Sequence, residues 1–135
     1  ASVDGLADNR LGQTDSTNLA GNHVVIAAGK NRFVFLAHLK RGSVLVRRGQ
    51  RVGAGQVIGR CGNSGNTGAP HLHLHVQDTP TLNRGTGRMM IFQKINVELS
   101  GKSFRRVSWP LLQGLFVWGN GLTSARADGA DKEGT

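Results

Sequence analysis

Three histidines alternate with apolar residues near the middle of the chain, at positions 71, 73 and 75. Successive side chains of a β-strand point to opposite faces, so His71, His73 and His75 would share one face while the intervening apolar residues enter the core. Neutral imidazole is the commonest metal ligand in proteins and a common general acid or base. The pattern therefore indicates a metal or catalytic site, with a polar, partly solvated sheet face as the plainer alternative.

The spacing limits how many of these rings one metal ion can bind. His71 and His75 lie four residues apart, which is roughly 13 Å along an extended strand. The nitrogen ligands of a tetrahedral zinc ion lie only about 2.0–2.1 Å from the metal, so a flat strand cannot supply all three. One histidine or an adjacent pair can bind the metal, while another acts as an acid, a base or a hydrogen-bond donor.

The remaining histidines and the one cysteine carry weaker signals. His38 ends an apolar stretch, where a hydrogen-bonded core or edge residue is commoner than a catalytic one, and His23 begins a strand and is predicted at the surface. A single cysteine, Cys61, excludes an internal disulfide and a cysteine-based zinc site. We expect Cys61 to be a packed thiol, since one nearby arginine does not mark it as activated.

The distribution of glycines along the chain predicts the strands and turns that position the histidines. The 135 residues include 20 glycines, roughly twice the usual share, and they are scattered without the period of collagen. Such a chain favours many short strands joined by tight turns. The strands are predicted within residues 1–7 and over residues 23–28, 32–39, 43–46, 57–61, 71–77 and 89–99, with 23–28 and 32–39 forming a hairpin. Residues 108–118 are predicted as strand and loop.

Composition places the chain in the all-β class. Hydrophobic content of 38% and charged content of 19% exclude a disordered chain and a coiled coil. No apolar run reaches the roughly 18 residues of a membrane-spanning helix. We expect one β domain over residues 1–120, followed by a flexible polar tail over residues 121–135.

The net charge of +9 favours an anionic partner. The basic residues are spread along the chain and accompany no helix-turn-helix, RNP or zinc-finger pattern. The absence of tyrosine and the small number of other aromatic residues also leave few rings for stacking nucleic-acid bases. Specific nucleic-acid binding is therefore not expected, and an anionic cell-envelope polymer is a candidate partner.

An ordered series of motifs carries a family resemblance. The series is GNHVVI at 21–26, LAHL at 36–39, VRRGQRV at 46–52, GQVIG at 55–59, GNSG at 62–65 and GAPHLH at 68–73. Its order, spacing and glycine placement over about residues 21–78 resemble the lysostaphin/LytM-type zinc endopeptidases, which are bacterial cell-wall hydrolases. The resemblance implies a compact antiparallel β-sheet domain of the duplicated-hybrid or barrel-sandwich type with a narrow groove.

The same resemblance implies the chemistry and the site residues. It implies a Zn²⁺ held by two histidines and an aspartate, cleavage of peptide cross-links in peptidoglycan, and a location in the bacterial envelope, periplasmic or extracellular. His73 matches the zinc-ligand histidine, His71 matches the histidine that contacts the metal-bound water or the transition-state oxyanion, and His38 matches the second catalytic histidine. His75 stands where the family often has another residue and receives no role.

One departure divides the functional hypotheses. The family's other two zinc ligands, a histidine and an aspartate four residues later, have no counterpart here, and nothing aligns Asp4 or Asp8 with them. The first hypothesis is an incomplete chain of an active zinc endopeptidase. The alternative is a non-catalytic LytM-like domain that binds cell wall or regulates a partner hydrolase. A third, a lipoyl- or biotinyl-carrier fold modified at Lys30, has poorly matching flanks.

Overall fold

Eight strands and no helix occur in residues 1–99, 102–110 and 116–119, the part of the chain that the computed structural model describes. All paired strands are antiparallel, which confirms the all-β prediction. The strands are β1 (Ser2–Val3), β2 (Asn22–Ala27), β3 (Phe33–Leu39), β4 (His73–Gln77), β5 (Gly87–Arg88), β6 (Ile91–Leu99), β7 (Lys102–Pro110) and β8 (Phe116–Gly119).

The backbone divides into two compact units, Ala1–Arg88 and Met89–Thr135. The first unit holds an open five-stranded sheet in the order β1-β2-β3-β4-β5. The second holds a three-stranded sheet in which β6 pairs with both β7 and β8. Every histidine and the cysteine belong to the first unit, so the candidate chemistry is confined to it.

The hairpin of β2 and β3 follows from the sequence with little ambiguity. Two apolar runs flank a short polar turn in which Asn31 has a φ of +52°, a backbone conformation that asparagine tolerates better than most residues. The observed β2 is displaced by one residue from the predicted strand 23–28, and the observed β3 begins one residue later than the predicted strand 32–39. Pairing begins at Ala27 opposite Phe33 and continues to Asn22 opposite Leu39.

Strand register separates the first sheet into two faces. Val24 pairs with Leu36 and Leu36 with Leu74, so these side chains share one face. Val24 on that face belongs to a cluster of buried and half-buried apolar residues. The members of the cluster are Val24, Ile26, Leu39, Val44, Val46, Val52 and Ile58. On the opposite face, Phe35 pairs with His75 and Ala37 with His73. The pleat thus turns two histidines of β4 away from the aliphatic core.

Several predicted strands are wrong. Residues 43–46 and 57–60 are not strands, although the amide of Leu45 donates to the carbonyl of Ile58 at 2.8 Å. Closely spaced glycines turn the chain here too often for a ladder to propagate. The strand predicted at 71–77 begins at His73, and only Ser2–Val3 of residues 1–7 is a strand.

Other parts of the sequence-based organisation lie outside the described residues. These are the predicted tail at 121–135 and residues 111–115 of the segment 108–118, whose two ends form strands β7 and β8. Within the described residues, no helix is long and apolar enough to span a membrane.

Candidate active site

His38, near the end of β3, meets two histidines of the β4 segment at one end of the first sheet. His38, His71 and His73 each offer a ring nitrogen, and these nitrogens all lie within 4.8 Å of one another. The pairing of Ala37 with His73 places β4 beside the end of β3, and an isolated bridge between His71 and Gly62 holds the segment before β4. We call His38, His71 and His73 the histidine cluster.

His38 is the buried member of the cluster, with 5% of its surface exposed. Its φ is +59°, in the left-handed region that non-glycine residues rarely occupy. Nδ1 lies 2.8 Å from the carbonyl oxygen of Ser64, which can only accept a hydrogen bond. In the neutral ring the proton is therefore on Nδ1, and Nε2 carries the free lone pair.

A hydrogen-bond network of buried polar residues fixes the position of the carbonyl group that His38 contacts. Ser64 and Asn22 are both fully buried. The Ser64 hydroxyl donates to the carbonyl of Leu39 at 2.7 Å and accepts from the amide of Asn22 at 2.9 Å. The Asn22 side chain donates to the carbonyl of Leu6 and accepts from its amide. These hydrogen bonds join the segments of Leu6, Asn22 and Ser64 to the end of β3, beside His38.

Two glycines allow the backbone segments of this hydrogen-bond network to approach each other. Gly21 has a φ of +58°, and a Cβ at this position would overlap the backbone of Ser64. A Cβ at Gly65 would overlap the backbone of Gly21. The segments around residues 21 and 64 can therefore approach only because neither glycine has a side chain.

His71 is exposed, and its ring is oriented by two neighbours. Nδ1 lies 3.0 Å from the carbonyl oxygen of Ala69 and 3.1 Å from the hydroxyl of Thr67. The carbonyl fixes the proton on Nδ1 in the neutral ring, which leaves the lone pair on Nε2. Because Thr67 is itself buried, with 4% exposure, the support of His71 is anchored in the first unit.

The cluster continues into a row of aromatic rings that ends in the core. His38 lies 4.8 Å from His71 and 5.6 Å from His73, measured between ring centroids. His73 meets His75 at 5.1 Å, and His75 stacks on Phe35 at 4.6 Å with an interplanar angle of 9°. Phe35 is 1% exposed, so the last ring of the row is immobilised by packing.

Two members of the cluster have lowered pKa values. Burial lowers the pKa of His38 below its ordinary 6.5, the hydrogen bond to Ser64 opposes this shift, and the nearby His71 adds to it. Burial also lowers the pKa of His73, and the neighbouring rings of His75, His38 and His71 lower it further. Both rings consequently favour the neutral form, which is the form that binds metals and accepts protons.

The donor set of the cluster suits a metal ion. Three neutral imidazoles are a known ligand set for zinc, whose ligands lie about 3.4 Å apart in a tetrahedral site. The cluster is the one group of at least three potential ligands found in the described residues, and it includes no carboxylate. The carboxylate of Asp8 accepts from the amides of Asn63 and Arg41, and that of Asp4 accepts from Gly42 and Val44. Both therefore support loops.

The structure places the other predicted residues outside the cluster. Cys61 is exposed, so the prediction of a packed thiol is wrong; a single bridge to Leu39 replaces the predicted strand and does not bury the thiol. Leu72, expected in the core, is 45% exposed because it precedes β4. His23 is half-buried and its Nδ1 contacts the carbonyl of Gly21 at 2.8 Å, and Lys30 is exposed in its turn.

Sequence reasoning missed the supporting residues Asn22, Ser64 and Thr67. Their segments contain the Gly, Asn, Ser and Thr typical of ordinary turns, so composition did not single them out. The available signal was the pair of glycines flanking Asn63 and Ser64, because clustered glycines also mark places where backbones approach closely.

A cavity of about 610 Å³ lies elsewhere in the first unit. Its lining combines apolar side chains with two arginines, and the cluster histidines do not contribute to it: Val24, Ile26, Phe33, Val46, Val52, Arg47 and Arg51 are among its residues. This cavity and the candidate chemistry are therefore in different places.

Comparison with known proteins identifies the family of this chain. The sequence profile of Peptidase family M23 matches residues 2–86. The chain is 46% identical over 57 residues to the peptidoglycan DD-endopeptidase ShyA of Vibrio cholerae, an alignment that spans 42% of this chain and 13% of that protein. No solved structure matches significantly. Because the profile match covers well over half of the chain and includes every cluster histidine, the chain belongs to peptidase family M23.

Proposed function

We propose that this chain carries catalytic histidines of a zinc-dependent endopeptidase that cleaves peptide cross-links in peptidoglycan of the bacterial envelope. In this proposal His73 binds the metal, and His38 and His71 act on the reacting groups. The observation that carries it is the meeting of these three rings. The ShyA relative is a peptidoglycan endopeptidase, which supports the choice of substrate.

The donor chemistry of the cluster suits the zinc that the family implies, with His73 as a ligand, although the second histidine and the aspartate that the resemblance implies have no counterpart in this sequence. The lowered pKa values of His38 and His73 favour the neutral form of both rings. When bound, zinc supplies a Lewis acid that polarises the scissile carbonyl. The Nε2 lone pairs of His38 and His71 can accept a proton as water adds to that carbonyl. The same nitrogens, once protonated, can stabilise the oxyanion and return the proton to the departing amine.

Zinc stoichiometry tests the metal part of this proposal. We expect metal analysis after dialysis to find near one zinc per chain and to find it lost in His73→Ala. A His23→Ala variant, which changes a histidine outside the cluster, should keep the metal. If neither the wild type nor the control retains zinc, this chain is not itself a metalloenzyme.

Hydrolysis of purified peptidoglycan tests the catalytic part. His38→Ala and His71→Ala should each lower the rate by roughly 10²- to 10⁴-fold, which is the usual contribution of a positioned acid or base. Fragment release should depend on added zinc. Release by both variants at the wild-type rate would contradict the assigned roles.

A second candidate function, binding to an anionic wall polymer, rests on the charge distribution. Residues 16–77 contain eight lysines and arginines and no aspartate or glutamate. All eight are exposed: Lys30, Arg32, Lys40, Arg41, Arg47, Arg48, Arg51 and Arg60. The described residues contain one ion pair, Arg88 with Asp78 at 3.2 Å, and none of the eight takes part in it. An anionic polymer would meet little competition from internal carboxylates.

Co-sedimentation with insoluble cell wall tests this second function. Binding should weaken as salt rises, because exposed charges are screened. The double variant Arg47→Gln/Arg48→Gln should bind less than Arg10→Gln/Arg84→Gln, which removes the same charge from exposed positions outside residues 16–77. Equal losses in the two variants would show that net charge, not this segment, governs binding.

A further inference from the structure

We propose that His75 and Gln77 are positioning residues that hold the His73 ring with its proton on Nε2 and its lone pair on Nδ1. The inference rests on the proposed function in that His73 is the metal ligand there. It assigns a role to a histidine that neither the motif comparison nor the cluster includes.

Three polar side chains on one face of β4 form a continuous hydrogen-bonded row. His73, His75 and Gln77 alternate along the strand and therefore share a face. Nε2 of His73 lies 3.0 Å from Nδ1 of His75, and Nε2 of His75 lies 3.2 Å from Oε1 of Gln77. Neutral His75 has one N–H donor and one lone pair, so it must donate in one of these contacts and accept in the other. The direction of donation is therefore the same along the row.

Gln77 sets that direction. Its Nε2 amide group donates to the carbonyl of Thr79 at 2.9 Å and to that of Thr81 at 2.7 Å. Carbonyl oxygens only accept, so the amide orientation is fixed, with Oε1 facing His75. Gln77 is 5% exposed, which makes turning its amide over costly because its donors would lose their partners.

The proton positions follow from the Gln77 oxygen. Since Oε1 can only accept, Nε2 of neutral His75 must carry the proton, and Nδ1 of His75 must carry a lone pair. His73 must then donate from Nε2, which leaves Nδ1 as its ring nitrogen with a free lone pair. The reverse assignment would place two lone pairs face to face across the 3.2 Å contact between His75 and Gln77.

Packing keeps His75 in place for this task. Its ring stacks on Phe35, a residue buried in the first unit. A hydrogen bond from a second residue to the remote nitrogen of a metal-binding histidine orients the ring and selects its tautomer, and losing such support typically costs 10- to 100-fold in metal affinity. His75 supplies this support to His73 as an acceptor.

Nitrogen NMR of the metal-free full chain tests the proton positions directly. At about pH 8, above the ordinary histidine pKa, long-range ¹H–¹⁵N spectra should show the protons on Nε2 of both His73 and His75. Gln77→Leu removes the acceptor and should allow His75 to carry its proton on Nδ1. A proton on Nδ1 of His73 in the wild type would overturn the proposal.

Zinc titration of His75 variants provides a second readout. His75→Phe keeps a ring against Phe35 but removes the acceptor, and should weaken zinc binding by about 10- to 100-fold. His75→Gln restores an acceptor oxygen and should recover most of the affinity. Wild-type affinity in His75→Phe would overturn the proposal. Absence of zinc binding in all chains together with the expected NMR pattern would refute the proposed function and leave the positioning role standing.

Discussion

The carbonyl oxygen of Ser64 lies 2.8 Å from Nδ1 of His38, although 26 residues separate the two in sequence. This contact joins the loop around residue 64 to the end of β3. It fixes the ring of His38 at the point where the backbone enters the left-handed region. The loop thus decides which nitrogen of His38 faces the rest of the cluster.

Gly21→Ala should destabilise the first unit and disturb the cluster. The new Cβ would overlap the backbone of Ser64, in addition to the cost of a left-handed alanine. Gly42→Ala is a matched control, because its φ is +68° and nothing lies within 4 Å of its added Cβ. We expect the control to lose about 1–2 kcal/mol and Gly21→Ala to lose clearly more in urea denaturation. If the two variants lost the same free energy of unfolding, the loop around Ser64 would have moved to make room for the new Cβ at little cost.

Variants of His38 should differ in stability in an order set by the backbone. Asparagine tolerates a φ near +59° better than alanine or valine does. His38→Asn should therefore be more stable than His38→Ala, and His38→Val should be the least stable, with steps of about 1 kcal/mol. All three should hydrolyse peptidoglycan roughly 10²- to 10⁴-fold more slowly than the wild type, because each lacks the His38 imidazole. Thermal unfolding measures the order, and a valine variant as stable as the asparagine variant would contradict it.

The free energy of unfolding should fall as the pH drops below about 6.5. Folding lowers the pKa of His38 and His73, so the unfolded chain takes up these protons first as the solution becomes acidic. The stability tied to the two neutral rings is complete above the unfolded pKa of about 6.5 and declines towards the folded pKa values. Urea denaturation at pH 7.5 and 5.5 measures this decline. His38→Asn should reduce the difference, and a wild type equally stable at both values would refute the prediction.

Cys61 should react with a thiol reagent in the folded protein. Its side chain is exposed, so no unfolding is needed for access. We expect one thiol per chain to react with a chromogenic disulfide without denaturant. The same chain in urea provides the reference rate, and a reaction seen only after unfolding would place the thiol in the interior.

The strands that sequence reasoning predicted well are those with an unbroken apolar pattern. Strands β2 and β3 combine β-branched and aromatic residues with a polar turn, and local preference alone defines them. Residues 43–46 and 57–61 show the same preference over shorter runs. Glycine-rich corners interrupt them, and whether a ladder forms there depends on tertiary pairing that a single sequence does not reveal.

Sequence patterns singled out the three histidines of the cluster, but alternation along the strand did not predict which of the rings meet. Alternation placed His71, His73 and His75 on one face, and the strand length argued that a single metal could not bind all of them. The register between β3 and β4 brings His38 to the cluster in place of His75. That register, and the buried contacts of Ser64, are long-range properties that local spacing does not encode.

The row of rings from His71 to Phe35 has a consequence for protein engineering. Phe35, the last ring of the row, is buried, and its packing restricts the movement of the His75 ring that stacks on it. The histidines at the other end of the row are therefore held in place through Phe35. Transplanting the histidines alone onto another sheet would supply the imidazole rings without the residues that hold them in position. A graft would need Phe35, His75 and Gln77 with them, and a redesign that replaced Phe35 would also change the support of the histidine cluster.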